Sequence, residues 1–203
     1  MTITINNQPI TLTAEQEKKL KKALGVNDKQ LSEVECGKTF TIKDKDWSME
    51  FIKFYDKDGV TFAVAKDIAF DAKFGTNSNF YASNIERRLR TEILPKIEAA
   101  VGAENVLEHN VDLLSLDGDD KYGNTNTKIS VPTFDFYRHN ARVFDKYNPK
   151  RTWWLATAYT TDTHWCDNLV CYVRHGGDVG SILCDCYDGV RPFVTFKSSI
   201  FVS

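Results

Sequence analysis

The chain has 203 residues, of which 42% are hydrophobic and 27% are charged, and its formal net charge is -2. This length allows one sizeable hydrophobic core and is short for two ordinary domains joined by a linker. The composition excludes a disordered, collagen-like or supercharged protein, and the near-neutral charge argues against nucleic acid as a generic ligand.

Residues 1–12 lack the basic start and long apolar run of a secretory signal, and no stretch reaches the roughly 20 apolar residues that a membrane helix needs. We therefore expect a cytoplasmic protein without membrane association. An odd number of cysteines in such a compartment indicates free thiols. These cysteines are Cys36, Cys166, Cys171, Cys184 and Cys186.

The chain begins with a hairpin and a helix. Apolar and polar residues alternate on both sides of residues 6–9 (NNQP), which predicts two short strands and a turn. Thr13 followed by Gln16 has the spacing of a helix capping box, and Gly25 suits a C-terminal stop. Because this segment is short and rich in lysine, we interpret it as an appendage.

The next elements are predicted to be strands. Residues 39–42, 49–55 and 60–66 have the composition of strands, and the last two are separated by residues 56–59 (DKDG), which form a turn signal. The pattern predicts a hairpin that packs on a core.

Two helices are predicted in the middle of the chain. Ser83 with Glu86 forms a second capping box, and apolar residues recur at helical spacing up to Gly102, with Pro95 expected to kink or divide the helix. Thr133 is the expected cap of another helix, which would extend through Phe144.

The residues between these two helices, 111–128, are predicted to form a solvated loop. They include the runs DGDD at residues 117–120 and GNTN at residues 123–126. A calcium site here remains open, although the order of acids and glycine does not match a helix-loop-helix calcium site.

A hairpin near the C-terminus predicts two distinct faces. If Gly176 and Gly177 form a two-residue turn, Cys171 lies opposite Ile182 and Tyr172 lies opposite Ser181. The face expected in the core then collects Leu169, Cys171, Val173, Gly180, Ile182, Cys184 and Cys186. The adjacent Trp153 and Trp154 point to opposite faces of a strand, so at least one of them should be buried.

The other face of this hairpin and the loop before it combine aromatic rings with charged and amide groups. Protein interfaces favour this combination, because a rigid ring buries a large area at low entropic cost. A solvated loop face is the alternative, but an exposed Trp165 favours recognition. The candidate binding residues are Tyr159, Asp162, His164, Trp165, Asp167, Asn168, Tyr172, Arg174, His175, Asp185 and Tyr187.

The residues that could hold a metal or catalyse a reaction form no familiar pattern. A zinc site from Cys166, Cys171, Cys184 and Cys186 would need spacings that fit no known zinc knuckle. The histidines are scattered, and no serine elbow or glycine-rich phosphate loop is present. We therefore expect no cofactor, no metal and no catalytic residue.

Several motifs resemble a domain family that is common in gut Gram-positive bacteria and their phages. They are WWLAT at residues 153–157, CYVR at residues 171–174 before a glycine-rich turn, and GVRPF at residues 189–193. The family's usual signature is W-W-L-R-[ST], a Y-V-x-S-x-G-x-V hairpin and a closing G-V-R-P. The resemblance covers residues 36–203 as the main domain and leaves residues 1–35 as the appendage.

The resemblance implies a C-type-lectin-like fold, shared with formylglycine-generating enzymes. We expect an α+β domain with antiparallel sheets and two helices, in which the closing GVRP is scaffold and Arg191 ties loops together. Two departures put position-specific functions in doubt: Ala156 replaces the usual arginine, and HGGD at residues 175–178 replaces a Ser/Asp-rich turn.

The leading functional hypothesis is a non-catalytic recognition module of a phage or prophage, located in the host cytoplasm or in the virion. Its partner would be a protein, and inhibition of a host defence protein is a sharper version. One alternative is a virion or assembly component that forms homo-oligomers through residues 1–35. Another is a copper-dependent enzyme of the formylglycine-generating kind, for which Cys184 and Cys186 are the candidate ligands.

Overall fold

The computed structural model describes residues 2–5, 8–23, 29–162 and 166–203. Over these ranges the chain is mixed α+β, with most of its regular structure in sheets and a few short helices. The predicted α+β class is therefore confirmed. No helix within the described ranges is long and apolar enough to cross a membrane.

The elements follow one another closely along the chain. The strands are β1 (Thr2–Ile5), β2 (Gln8–Thr11), β3 (Lys29–Gln30), β4 (Thr39–Asp44), β5 (Trp47–Lys57), β6 (Val60–Ala65), β7 (Phe70–Lys73), β8 (Val106–Leu107), β9 (His109–Asp112), β10 (Asn124–Thr127), β11 (Ile129–Ser130), β12 (Trp153–Ala158), β13 (Leu169–Val173), β14 (Val179–Leu183), β15 (Tyr187–Val190), β16 (Phe193–Lys197) and β17 (Phe201–Val202). The α-helices are α1 (Ala14–Ala23), α2 (Asn84–Arg88), α3 (Leu94–Val101), α4 (Phe134–His139) and α5 (Ala141–Lys146). Short 3-10 turns cover Leu31–Glu33, Phe80–Ala82 and Ala103–Asn105, and a π-helix covers Leu89–Ile93.

The N-terminal hairpin and helix form as predicted. Strand β1 pairs with β2 in an antiparallel two-stranded sheet. The capping box at the start of α1 is present, because Thr13 N donates to Gln16 Oε1 at 2.9 Å and Gln16 N donates to Thr13 Oγ1 at 3.3 Å. The predicted stop at Gly25 lies outside the described residues.

The segment that follows α1 belongs to the main body of the molecule. Strand β3 pairs with β17, and Leu31 and Val34 are buried in the main core. The predicted boundary at residue 35 thus falls after residues that already pack into this core.

A six-stranded sheet contains β11, β16, β6, β5 and β4 in that order, with β8 also paired to β16. The predicted strand regions 39–42, 49–55 and 60–66 form its hairpins. The turn between β5 and β6 is tighter than expected, since only Asp58 and Gly59 separate the strands and both have positive φ. This is the conformation of a two-residue hairpin turn that continues the strand twist.

A five-stranded sheet has the order β14, β13, β12, β15 and β7, and only the β12–β15 pair among these is parallel. Both tryptophans of β12 are completely buried, on opposite faces. Trp154 lies in the main core and donates from Nε1 to Ala72 O at 2.9 Å, whereas Trp153 lies in the second core. The expectation that at least one of the two is buried is confirmed.

The two sheets share two cores. In the main core, one face of each sheet packs against helices α2 and α3. This core includes Phe51, Trp154 and Phe196. The second core lies on their other faces, against α4 and α5, and it contains Ile52, Phe54, Val64, Tyr137, Phe144, Trp153, Leu155, Cys171, Val173 and Phe193.

The predicted register of the β13–β14 hairpin is wrong by one residue. Cys171 pairs with Ser181 instead of Ile182, and Val170 pairs with Ile182. Because side chains alternate along a strand, a slip of one residue moves every side chain of β14 to the other face.

The reason for this slip is the length of the loop. Arg174 N donates to Asp178 O at 2.7 Å, so the loop contains residues 175–177 rather than only the two glycines. Gly177 has a φ of 90°, which places it at the left-handed position of a three-residue hairpin loop.

The predicted division of β13 into one buried and one exposed face is also wrong. Val170 is buried in the main core and Cys171 in the second core, and neither has any exposed surface. A strand with a core on each side has no solvent face. A short apolar run such as β13 does not distinguish a strand that is buried on both faces from one that is buried on a single face.

The predicted caps at Ser83 and Thr133 are present, but the capping box at Ser83 is only half formed, because Ser83 N donates to Phe80 O and the Glu86 carboxylate pairs with Arg90. Ser83 Oγ accepts from Glu86 N at 2.9 Å, and α2, the π-helix and α3 follow one another up to Gly102, with Pro95 in the first turn of α3. Thr133 caps α4 as predicted, but the helix is interrupted at Asn140 and resumes as α5.

The predicted loop between α3 and α4 is partly β structure. Strand β9 pairs with β10, which includes part of the GNTN run. In the turn between them, Ser115 Oγ donates to Asp119 O at 3.1 Å and accepts from Asp119 N at 2.9 Å. The acidic run is thus organised by a serine-centred turn.

Candidate functional site

The predicted binding residues are divided among three regions of the surface rather than collected on one face. Tyr159 and Asp162 lie in the loop after β12, Tyr172 and Arg174 lie on the β13–β14 hairpin, and Tyr187 lies on β15. His164 and Trp165, which were predicted to belong to this surface, lie outside the described residues.

The loop after β12 is anchored to the turn between β9 and β10. Asp162 forms an ion pair with Lys121, and Thr161 donates a hydrogen bond to Asp119. Asp167 accepts a hydrogen bond from Ser78 through its carbonyl group. These contacts hold Thr161 and Asp162 on one side of the loop and Asp167 on the other, and Tyr159 is partly exposed.

Tyr172 was predicted to be a surface binding residue, but its side chain is packed within the hairpin. Its ring is half-buried, lies 6.5 Å from the Trp154 ring and passes close to Gly180 on the paired strand. Its hydroxyl group accepts from Arg174 Nε at 3.1 Å, and Arg174 Nη1 donates to Asp178 at 2.7 Å.

His175 is exposed in the loop of this hairpin, and its carbonyl accepts from Asn148 at 2.9 Å. The hairpin therefore presents charged edges to solvent, while Tyr172 is largely part of the scaffold.

The third region contains the most exposed aromatic side chain among those described. Tyr187 is 69% exposed, and the cation of Lys73 on the paired strand β7 lies 5.7 Å from its ring. Asn168 and Asp185 line an adjoining shallow cleft of about 450 Å³ together with Lys73 and Leu183, and Leu183 is 46% exposed.

We call this third region the Tyr187 surface and define it by Lys73, Asn84, Asn168, Leu183, Asp185 and Tyr187. It combines a ring, an aliphatic side chain, two amides and charges of both signs. Sequence reasoning missed Lys73 and Asn84, because their proximity depends on the pairing of β7 with β15, which no local pattern predicts. Leu183 was also not among the predicted binding residues.

The strands beneath the Tyr187 surface are held by buried polar contacts. Asp188 follows Tyr187 on β15, is 8% exposed and accepts a hydrogen bond from Thr152 on the loop before β12. Burial raises the pKa of this carboxyl group, and the hydrogen bond from Thr152 partly offsets that effect. Tyr187 is therefore presented by a rigid strand.

Two of the cysteines, Cys171 and Cys184, are in environments that disfavour metal-binding thiolates. Burial raises the pKa of Cys184, and it raises the pKa of Cys171 to about 12. Cys171 lies in the second core, on the opposite side of the sheet from Cys184. Within the described ranges, no three His, Cys, Asp or Glu side chains form a group that could hold a metal ion.

Comparisons of the chain with protein-family models, with curated proteins and with solved structures gave no match.

Proposed function

We propose that the protein is a non-catalytic recognition module that binds another protein through the Tyr187 surface. The observation that carries this proposal is the exposure of Tyr187 and Leu183 at the ends of two strands of the same sheet. Burying such side chains in a partner removes apolar area from water, and an ordered ring loses little entropy on binding.

The fold and the origin that we propose for the protein are supported by the WWLAT, CYVR and GVRPF motifs of its sequence. The domain has a C-type-lectin-like fold and belongs to a phage or prophage, with a partner in the bacterial host cell. Two mainly antiparallel sheets, with helices packed on their faces, are compatible with this fold. The fully buried Arg191, which donates to Ala65 O and Lys66 O, supports the scaffold role of the GVRP motif.

The test is affinity capture from a lysate of a gut Gram-positive bacterium, followed by binding measurements with the captured protein. We expect the double variant Leu183→Ser, Tyr187→Ala to weaken binding at least about 30-fold, since central interface residues contribute about 2 kcal/mol or more. Leu116→Ser, which removes an apolar side chain of similar exposure to Leu183 from the turn between β9 and β10, is the matched control.

Equal capture by the wild type and the double variant would reject the Tyr187 surface as the binding site. A lower melting temperature of the double variant would instead show that the two side chains stabilise the fold.

A second candidate function is assembly through the N-terminal hairpin. Every residue of β2 is exposed, including Ile10 at 42%, and within the described ranges β1 and β2 pair only with each other. Free strand edges are sites at which another chain can add a strand. A monomer by light scattering at about 0.1 mM, where weak specific complexes begin to form, would reject this candidate.

A further inference from the structure

A separate cleft of about 530 Å³ opens beside the tip of the β5–β6 hairpin. Strand β9, the residues before α4 and strand β16 form its other walls. Its volume is within the range of small-molecule binding sites, and it shares no lining residue with the Tyr187 surface.

Aromatic side chains that keep exposed surface form one wall of this cleft. Tyr55 is 37% exposed and stacks on Phe62, with the two ring centres 4.4 Å apart. Phe136 lies 6.2 Å from Tyr55 and 4.8 Å from Phe193, measured between ring centres. Phe193 is buried, but Phe62 and Phe136 are only half-buried. A ligand in the cleft can therefore contact the rings of Tyr55, Phe62 and Phe136.

The uncharged polar side chains of the lining are already used by the protein itself. Ser130 Oγ shares a hydrogen bond with His109 Nε2 at 2.8 Å, and Thr195 Oγ1 donates to Leu107 O at 2.7 Å. Thr133 Oγ1 accepts from the backbone of α4 at 3.2 Å. These hydrogen bonds hold the walls together and leave the rings as the main surface on which a ligand can pack.

The rim of the cleft is negatively charged. Its charged side chains are those of Lys57, Asp58, Glu108 and Asp112, and all four are exposed. Burial lowers the pKa of His109 to about 4, so this imidazole adds no positive charge near pH 7. Among the described residues of the lining, three carboxylates thus face one ammonium group.

The carboxylates of the rim are not neutralised by ion pairs. Asp58, Glu108 and Asp112 form no ion pair with a basic side chain of any described residue. Asp112 is fixed in position, because its Oδ1 accepts from Leu114 N at 3.0 Å. The rim therefore attracts cations and repels anions.

The rings and the rim favour the same kind of ligand. The face of an aromatic ring carries partial negative charge and attracts a cation within about 6 Å of its centre. An alkylated ammonium group has a positive charge but needs no hydrogen-bond acceptor, which suits a lining whose hydroxyl groups are already bonded.

We propose that this cleft binds a small organic cation with an alkylated ammonium head group, which packs against Tyr55, Phe62 and Phe136 while the carboxylates of the rim balance its charge. The occupant is a free small molecule, as the volume of the cleft indicates. A molecule that also carries a carboxylate group is disfavoured, because the rim repels it.

Three small probes test the proposal. Choline carries a trimethylammonium group, dimethylbutanol has an uncharged tert-butyl group in its place, and glycine betaine carries the trimethylammonium group together with a carboxylate. We expect choline to bind about fivefold more tightly than dimethylbutanol in an NMR titration at low salt, because a cation–π contact contributes about this factor. Glycine betaine should also bind more weakly than choline.

One variant tests the aromatic wall. Tyr55→Leu keeps an apolar side chain but removes a ring, so it should weaken choline about threefold and dimethylbutanol by less. Tyr81→Leu removes a ring that is 64% exposed outside the cleft, and it should bind both probes like the wild type.

A second variant tests the rim. Asp58→Asn combined with Glu108→Gln removes two charges with little change of shape, and asparagine tolerates the positive φ of residue 58. Choline should bind about threefold more weakly, and dimethylbutanol should be unaffected. Asp46→Asn, in the exposed turn between β4 and β5, is the control for the loss of a charge. Because Asp58 and Glu108 are exposed, this variant keeps the test valid if Tyr55→Leu fails to fold.

Three outcomes would overturn the proposal. One is equal affinity of the wild type for choline and dimethylbutanol. Another is the absence of saturable choline binding at about 10 mM, above the dissociation constants of weak specific ligands. The third is a choline affinity that neither Tyr55→Leu nor the double charge variant changes. None of these results bears on protein capture by the Tyr187 surface.

Discussion

The guanidinium group of Arg191 lies 4.8 Å from the centre of the Trp153 ring in the second core. Its Nε and Nη2 donate to Ala65 O at 3.0 Å and Lys66 O at 2.9 Å. One side chain therefore joins the end of β6 in the six-stranded sheet to β12 in the five-stranded sheet. Burial lowers the pKa of Arg191 to about 10, and the group remains charged near neutral pH.

We predict that Arg191→Lys lowers the free energy of unfolding by about 2–4 kcal/mol. An ammonium group has no planar fork to reach both carbonyls and loses the stacking on Trp153. Arg138→Lys, on the exposed face of α4, should change stability by less than about 0.5 kcal/mol. Urea unfolding measures both variants, and equal effects would contradict the role of Arg191.

The glycines of the β13–β14 loop provide a test of the hairpin register. Gly177→Ala should destabilise the protein by about 1–2 kcal/mol, because its φ of 90° is unfavourable for an L side chain. Gly176 does not have a positive φ, and Gly176→Ala should cost less than about 0.5 kcal/mol. Similar costs for the two substitutions, measured by thermal unfolding, would support the two-residue turn instead.

His109 should make stability depend on pH. Its pKa is about 4 in the folded protein against 6.5 ordinarily, so between these values the unfolded chain binds a proton that the folded chain excludes. Its contribution to stability is complete above pH 6.5 and decreases as the pH falls, with a total loss of about 3 kcal/mol. In urea unfolding from pH 7 to pH 4, the free energy of unfolding should fall less for His109→Leu than for the wild type. An equal fall in the two proteins would contradict this assignment.

The cysteines should differ in their reaction with a thiol reagent. Cys36 is exposed and should react first, and Cys166 and Cys186 are half-buried and should follow. Cys171, whose pKa burial raises to about 12, should react only when the protein unfolds. Mass spectrometry of labelled peptides gives the order, and Cys36→Ser should remove the fast phase. Labelling of Cys171 at the rate of Cys36 would show that the second core is open to solvent.

Local signals predicted much of the fold. The caps at Thr13, Ser83 and Thr133 could be predicted because each capping hydrogen bond joins two residues that are three positions apart in the sequence. The turn within residues 56–59 and the burial of at least one of Trp153 and Trp154 were predicted from similarly short-range rules.

Features that depend on distant residues were not predictable in the same way. The Gly176-Gly177 pair is compatible with a two-residue and a three-residue loop, and only packing against both cores selects the latter. The candidate residues around Tyr172 and Tyr187 occupy separate regions because β15 pairs with β7 and β12 rather than continuing the hairpin. Sequence alternation specifies which residues share a strand face but not which strands are neighbours.

The position of β16 in the six-stranded sheet determines when that sheet can form during translation. This strand lies between β6 on one side and β8 and β11 on the other, although most of the chain is translated before it. A nascent chain therefore holds the edge of β6, with Ala63 and Val64, unpaired until β16 leaves the ribosome. We expect the six-stranded sheet to close only after β16 has been translated.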